Sequence, residues 1–412
     1  MRAVLLAAAI GAYASSPAAA QQLASEALFD PDLTVGAGAT ISATIGTLVA
    51  HAEDRAIPDR LFDEPDARRR TANVTYRFLK QIFFDAPQEE LLLVFNHEVF
   101  GHGGRLRERF HGPIEYHIEV PAPYGGGAGS TSFVLGREPT PYERLAISAG
   151  GMESTSVVAS IVAERALVDG RMHPRDALRY LIFEFDTQGY IASTDAEGDE
   201  PGHDVGDFLR TYNELAASAG APGLTPRQLR RESLAGLANP VGAYALFGIA
   251  RYWWNGATDI GVPTLSIAGV RYLPLVRYRL TPYGTEWSLV NALGGRVRPM
   301  EIELRIGRSP LETPWGIGVH QRSVARWGGW TVDAAADMWR QPPIAGTDPR
   351  RVEVDLRTGT RVRGRVSHPV KWSSTYGASL IVEVGAKSAG YVPGEPLRGG
   401  VVARAGIGLP VP

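Results

Sequence analysis

The chain has 412 residues, 44% of them hydrophobic and 21% charged, with a formal net charge of −2. That length is enough for two cores, and the near-neutral balance excludes the basic footprint of a nucleic-acid binder. There is no cysteine, so thiolate catalysis, disulfides and Cys-ligated zinc are excluded, and any metal must be held by His and carboxylates.

The opening MRAVLLAAAIGAYASSPAAAQQ carries Arg2, a short apolar run and small residues before Gln21. Residues 1–20 therefore read as a secretory signal peptide, cleaved near Ala20. The rival reading is an uncleaved anchor, for which the apolar run is short. Within 21–50, the stretch LTVGAGATISATIGTLV sets Leu33, Val35, Ala37, Ala39, Ile41, Ala43 and Ile45 against Gly, Ser and Thr at every second position. Period two predicts an N-terminal strand over 33–47; the alternative is a core helix of small residues.

Residues 51–262 read as helical. Apolar residues recur at helical spacing over 70–85, 88–110, 140–169, 174–188, 203–218 and 226–237, with Pro and Gly between. One interruption, IEYHIEVPAPYGGGAGSTSFV (114–134), reads as strand, glycine loop, strand. The apolar stretch 241–254 reads as a buried or membrane-surface helix.

The chemistry is expected in LLLVFNHEVFGHGGR, 91–105, where His97, Glu98 and His102 form an HExxxH pattern. Zinc-binding HExxH places its two His at i and i+4, on one helical face. Here they stand at i and i+5, about 140° apart on an ideal α-helix. A single π-type widening brings such a pair back into line. Gly101 lies inside the motif, where a distortion meets least steric resistance.

HEVFGHGG resembles the hexapeptide metal motif of the dipeptidyl-peptidase III family, His-Glu-x-x-Gly-His followed by glycine. The resemblance covers about nine residues and implies a site, not a fold. It implies that His97 and His102 bind Zn2+, that Glu98 is the catalytic base, and that a Glu several tens of residues later is the third ligand. Glu153, in GMESTS, is the expected third ligand. It is ringed by small residues that allow its helix close to the His helix, and it departs from the more acidic surroundings of the family's ligand. Its bland reading is a capping or salt-bridging Glu.

Oxyanion donors are sought in His117 and Tyr116, on the strand IEYHIEV, and in Tyr190; His117 is the second catalytic residue expected. The same strand offers an edge to an extended peptide. Asp186 is a possible second partner for a metal-bound His. His203 and Asp204 look like a ligand pair but read better as a helix N-terminus, where acidic residues complement the dipole. Glu164 is expected to meet Arg165 or solvent.

Residues 263–412 change texture. Met300, Ile302, Leu304 and Ile306 alternate with Glu301, Glu303, Arg305 and Gly307, and similar alternation recurs over 328–339, 351–366, 374–387 and 400–409. One face is apolar and the other densely charged. A soluble sandwich would bury the apolar face; a transmembrane barrel would turn it to lipid. The long strands and the six of eight tryptophans in this region point to the barrel.

The sequence thus predicts an α+β chain: a helical zinc-hydrolase domain (51–262) and an antiparallel β-barrel (263–412) of roughly eight to ten strands, closed by the N-terminal strand. The expected activity is zinc-dependent peptide-bond hydrolysis on a peptide or protein substrate, with the chain exported and held by outer-membrane lipid. The rival address is periplasmic or secreted. The rival functions are a zinc amidase on cell-wall peptides, and a barrel with a structural metal site serving assembly or transport.

Overall fold

The computed structural model describes residues 25–63, 66–195, 202–344, 356–371 and 377–409. The expected signal peptide lies outside them. Strand β1 (Ser25–Phe29) leads into helix α1 (Val35–Ala56). The strand expected over 33–47 is therefore overturned. Its alternation sets apolar residues against Gly, Ser and Thr, all small enough to be buried, so period two marks no wet face. Ala39 and Ser42 are both buried in the helix, as are Ala43 and Gly46. Thr34 starts it by accepting from the Ala37 amide, while its own amide donates to Asp30 at 2.9 Å.

One helical rod then runs from Ala67 to Arg109. It comprises α2 (Ala67–Lys80), a π-helical segment (Gln81–Asp85), α3 (Ala86–Phe95), a second π-helical segment (Asn96–His102) and α4 (Gly103–Arg109). Backbone angles stay right-handed helical at each junction. A hairpin follows, β2 (Ile114–Ile118) with β3 (Gly129–Phe133). Helix α5 (Pro141–Asp169) starts with a capping box, Thr140 with Glu143, and stops at Gly170, whose φ of 70° suits glycine. After β4 (Arg171–Met172) come α6 (Pro174–Glu184), α7 (Asp186–Ser193), α8 (Asp204–Ser218) and α9 (Pro226–Ser233). A 3₁₀ turn (Leu234–Ala238) leads to α10 (Pro240–Asn255), and β5 (Ile260–Gly261) pairs with β4.

The remaining strands are β6 (Leu265–Ile267), β7 (Val270–Thr281), β8 (Gly284–Gly295), β9 (Met300–Arg308), β10 (Trp315–Trp327), β11 (Trp330–Gln341), β12 (Arg357–Lys371), β13 (Gly377–Lys387) and β14 (Gly400–Leu409). With β1 they form one antiparallel sheet of ten strands, ordered β1-β14-β13-β12-β11-β10-β9-β8-β7-β6. The class is α+β, but the sheet is open and the expected closed barrel is not formed. An N-terminal strand does pair with the last one, at 25–29 rather than 33–47. Closure stops there for a local reason. The Leu28 amide, on the sheet edge, donates to the Thr40 hydroxyl of α1 at 2.9 Å, so a helix occupies the place of a further strand.

The sheet's faces are inverted relative to a soluble sandwich. Inward-facing Arg279, Arg305, Arg361, Glu383 and Arg404 are buried, while outward-facing Leu304, Val362, Val382 and Val384 are exposed. The inward charges are paired: Arg279 with Glu303 at 2.8 Å, Arg361 with Asp337 at 2.7 Å, and Arg404 with Glu383 at 2.8 Å. Arg322 donates to Glu164 of α5 at 2.8 Å, so Glu164 meets the sheet rather than Arg165 or solvent.

Helices and sheet share their cores. Val158 and Val162 of α5 lie in one cluster with Tyr180, Val241, Leu273 and Leu275. Leu145, at the other end of α5, shares a second cluster with Phe208, Tyr212, Tyr283 and Tyr391.

Candidate metal centre

The widened turn expected from the i, i+5 spacing is present over Asn96–His102, and the His97 and His102 ring centroids lie 4.9 Å apart. Asn96 clamps it between two helices. Its carboxamide donates to Ser154 of α5 at 2.8 Å and accepts from Ser42 of α1 at 2.9 Å. Helix α5 comes almost to backbone contact. A Cβ on Gly101 would lie 2.5 Å from the Gly151 Cα, and one on Gly151 would lie 2.1 Å from His97 Nε2. Gly151 is what lets the His97 ring fit, and Gly150 gives the same close approach to Gly101 and Arg105.

Two imidazoles and one carboxylate converge. His97 Nε2 lies 2.9 Å from Asp204 Oδ2, and His102 Nε2 lies 3.1 Å from the same oxygen. These three atoms could hold a metal ion. The opposite ring nitrogens fix the tautomers. His102 Nδ1 faces the Ile147 carbonyl at 2.7 Å, and His97 Nδ1 faces Asp186 Oδ2 at 3.0 Å. Both partners only accept, so each Nδ1 carries a proton, and in the neutral rings it is Nε2 that presents the lone pair. Thr155 donates to Asp186 Oδ2 at 2.8 Å and holds that carboxylate in place.

Three electron-rich atoms therefore face one another in a buried site. A proton on each imidazole satisfies its contact to Asp204, and a single cation satisfies all three atoms at once. Burial alone would lower the His97 pKa, but Asp186 and Asp204 outweigh it and raise it well above the ordinary value. His102 is likewise lowered by burial and raised, on balance, by Asp204. Burial pushes the Asp204 carboxyl up, yet His102 and His97 hold it far below the usual carboxylate range. The site is built for positive charge, and two His with one carboxylate is a donor set that divalent metal ions take.

Glu98 borders the same space. A cleft of about 540 Å³ is lined by Glu98, His102, Asp204, Tyr190 and, from the hairpin, Gly129 and Thr131. The Thr131 hydroxyl donates to Glu98 Oε2 at 2.6 Å. Tyr190 stacks on His97 with centroids 4.9 Å apart and planes 16° from parallel. Burial, then the Asp204 and Asp186 charges, push its phenol upward, which keeps it a hydroxyl donor.

Two expected site residues are not brought in. Glu153 turns both oxygens to Arg105, with contacts of 2.5 and 3.0 Å, and accepts from the Gly394 amide at 2.8 Å. A carboxylate so held is an ion-pair partner, and Asp204 takes the place expected for it. His117 points outward, its side chain 70% exposed and 3.5 Å from Glu119, and it is not among the residues lining the cleft. Tyr116 accepts from Arg107 at 2.6 Å, on the far side of Gly103. Asp186 does meet a site imidazole. His203 sits outside the donor set, against Ser193 at 3.1 Å.

Asp204 reads in the sequence as a helix start rather than as a ligand because it is also the first residue of α8. An acidic helix start looks the same whether or not it binds a cation. The adjacent His in PGHDVGDF was the available signal. No protein-family model, curated protein or solved structure matches the chain.

Proposed function

We propose that this chain is a zinc-dependent hydrolase of peptide bonds, with His97, His102 and Asp204 as metal ligands and Glu98 as general base. The observation that carries the reading is the convergence of two Nε2 atoms and one carboxylate oxygen beside Glu98, in a cleft open to substrate. A zinc ion bound there would polarise the scissile carbonyl and lower the pKa of a water in the cleft.

The chain's own residues supply the rest. Glu98 takes the proton from the attacking water and passes it to the leaving amine. Thr131 orients the Glu98 carboxylate through its 2.6 Å hydrogen bond. The Tyr190 hydroxyl is the donor to the developing oxyanion. Among the described residues β3, not β2, lines the cleft. An extended peptide would therefore lie along β3, which moves the expected substrate edge to the other strand of the hairpin.

The test is metal analysis and peptide hydrolysis of the wild type beside His97→Ala, Asp204→Asn and Glu98→Gln. His97→Ala and Asp204→Asn are expected to lose zinc. Glu98→Gln is expected to keep zinc and lose turnover of casein or a peptide library. Turnover confined to peptidoglycan fragments would make the enzyme a cell-wall amidase. Equal activity in all four proteins would end the hydrolase reading.

A further inference from the structure

The outward rows of the sheet carry a pattern that water does not favour. Between the strand ends they read Leu304 and Ile306 on β9, Ile317 and Val319 on β10, Ala336 and Met338 on β11, Val362 on β12, Val382 and Val384 on β13, and Val401 and Ile407 on β14. Val401 is 77% exposed and Val362 64%. Those rows hold no charged side chain among the described residues. Charges appear only at the strand ends, with Arg308 and Arg340 at one and Arg326 and Lys371 at the other, all exposed. Tryptophans mark the same two levels: Trp315 at the first, Trp327 and Trp330 at the second, all exposed.

The apolar band does not stop where the sheet stops. Helix α1 packs on β1 and exposes Ile45, Leu48 and Val49. Helix α3 and the π-helical segment before it expose Leu91, Phe95, Ile82, Phe83 and Phe84. Helix α10 packs against α2, α6 and β7 and exposes Leu246, Phe247 and Trp254. The route from β1 back to β7 is thus covered by helices whose outer faces are apolar.

We propose that this band is a lipid-facing wall, and that the chain sits across a bilayer with α1, α3 and α10 standing where further strands would close the sheet. The proposal does not depend on the metal chemistry. Three features select lipid over a protein partner. The band runs across the sheet and on to the helices packed at β1 and at β7, whereas a partner covers one patch. Its charge distribution, apolar in the middle with cations and tryptophans at both rims, complements a slab that is apolar within and polar at its faces. The strands β7 to β14, of 9 to 15 residues, match or exceed the roughly 9–11 needed for a tilted crossing.

The experiment is reconstitution of the full chain, purified in detergent, into phosphatidylethanolamine–phosphatidylglycerol vesicles, followed by flotation and an alkaline carbonate wash. The wild type is expected to float and to resist the wash. Leu304→Arg with Val382→Arg places two charges at mid-band and is expected to cut the floated fraction by about tenfold or more, with unchanged circular dichroism in detergent. Wild-type chain that stays in solution without detergent, as a monomer or as a dimer using this face, overturns the proposal. So does a double variant that floats and resists the wash like the wild type. If the double variant loses its circular dichroism, the wild-type flotation decides alone.

Discussion

The Thr131 hydroxyl donates to the Glu98 carboxylate at 2.6 Å, tying the β2–β3 hairpin to the turn that carries His97 and His102. This contact aims the base, so its loss is a test of aim rather than of metal binding. Thr131→Val keeps the shape and removes the donor. A hydrogen bond to a charged group is worth ~1.5–3 kcal/mol, which corresponds to a fall in kcat/KM of roughly tenfold to a hundredfold. Zinc content should be unchanged. Steady-state kinetics beside metal analysis decides it.

Asp204 and Glu153 separate ligand from ion-pair partner. Asp204→Asn should abolish stoichiometric zinc with a modest effect on the fold. Glu153→Gln should retain zinc but destabilise the protein by about 3–5 kcal/mol, because it leaves the buried Arg105 guanidinium short of its counter-charge. Thermal unfolding and metal content of the two variants should cross over. Zinc lost from Glu153→Gln and kept by Asp204→Asn would reverse the assignment.

Gly151 makes room for a ligand. A methyl there would lie 2.1 Å from His97 Nε2, so Gly151→Ala must displace the ring or the helix. Misplacing a metal-bound imidazole costs about 10–100-fold in metal affinity. Gly189→Ala, whose Cβ meets nothing within 4 Å, is the control and should bind zinc normally. Competition titration with a chelating dye gives both values.

Zinc should also stabilise the fold. An ion held by the folded donor set and not by the unfolded chain stabilises the folded state, so removing zinc with a chelator should lower the melting temperature. Free zinc at a hundred times its Kd adds about 2.7 kcal/mol to stability. His102→Ala should erase the difference between zinc-loaded and chelated protein. A chelator with no effect on wild-type melting would remove the metal from the reading.

Much of this arrangement is legible in the residues. Apolar spacing with Pro and Gly punctuation places α5 over Pro141–Asp169 and α8 over Asp204–Ser218 to within a residue or two of the observed bounds. The i, i+5 spacing of His97 and His102 requires a wider turn, and the backbone has one. Other features resist reading for physical reasons. In residues 33–47 every position is apolar or small, so helix and strand bury it equally well. The segment of β7, VRYLPLVRYRLT, mixes both faces and carries Pro274, which blurs its alternation. Glu153 sits as expected near the site, but its neighbour Arg105 claims it, and no spacing in the sequence reveals that pairing.

The Arg105–Glu153 pair reaches further than the metal centre. Arg105 also donates to the Glu395 carbonyl at 3.0 Å, and Glu108 accepts from the Arg398 amide at 3.1 Å. Both belong to the loop between β13 and β14. The ligand-bearing rod is thus bolted to the far end of the chain, some 290 residues away. Cutting after residue 262 would remove the backbone partners of Arg105, Glu108 and Glu153 and uncover the cores that α5 shares with Leu273, Leu275, Tyr283 and Tyr391. The helical half is not excisable, and a truncated gene product should fail to accumulate as folded protein.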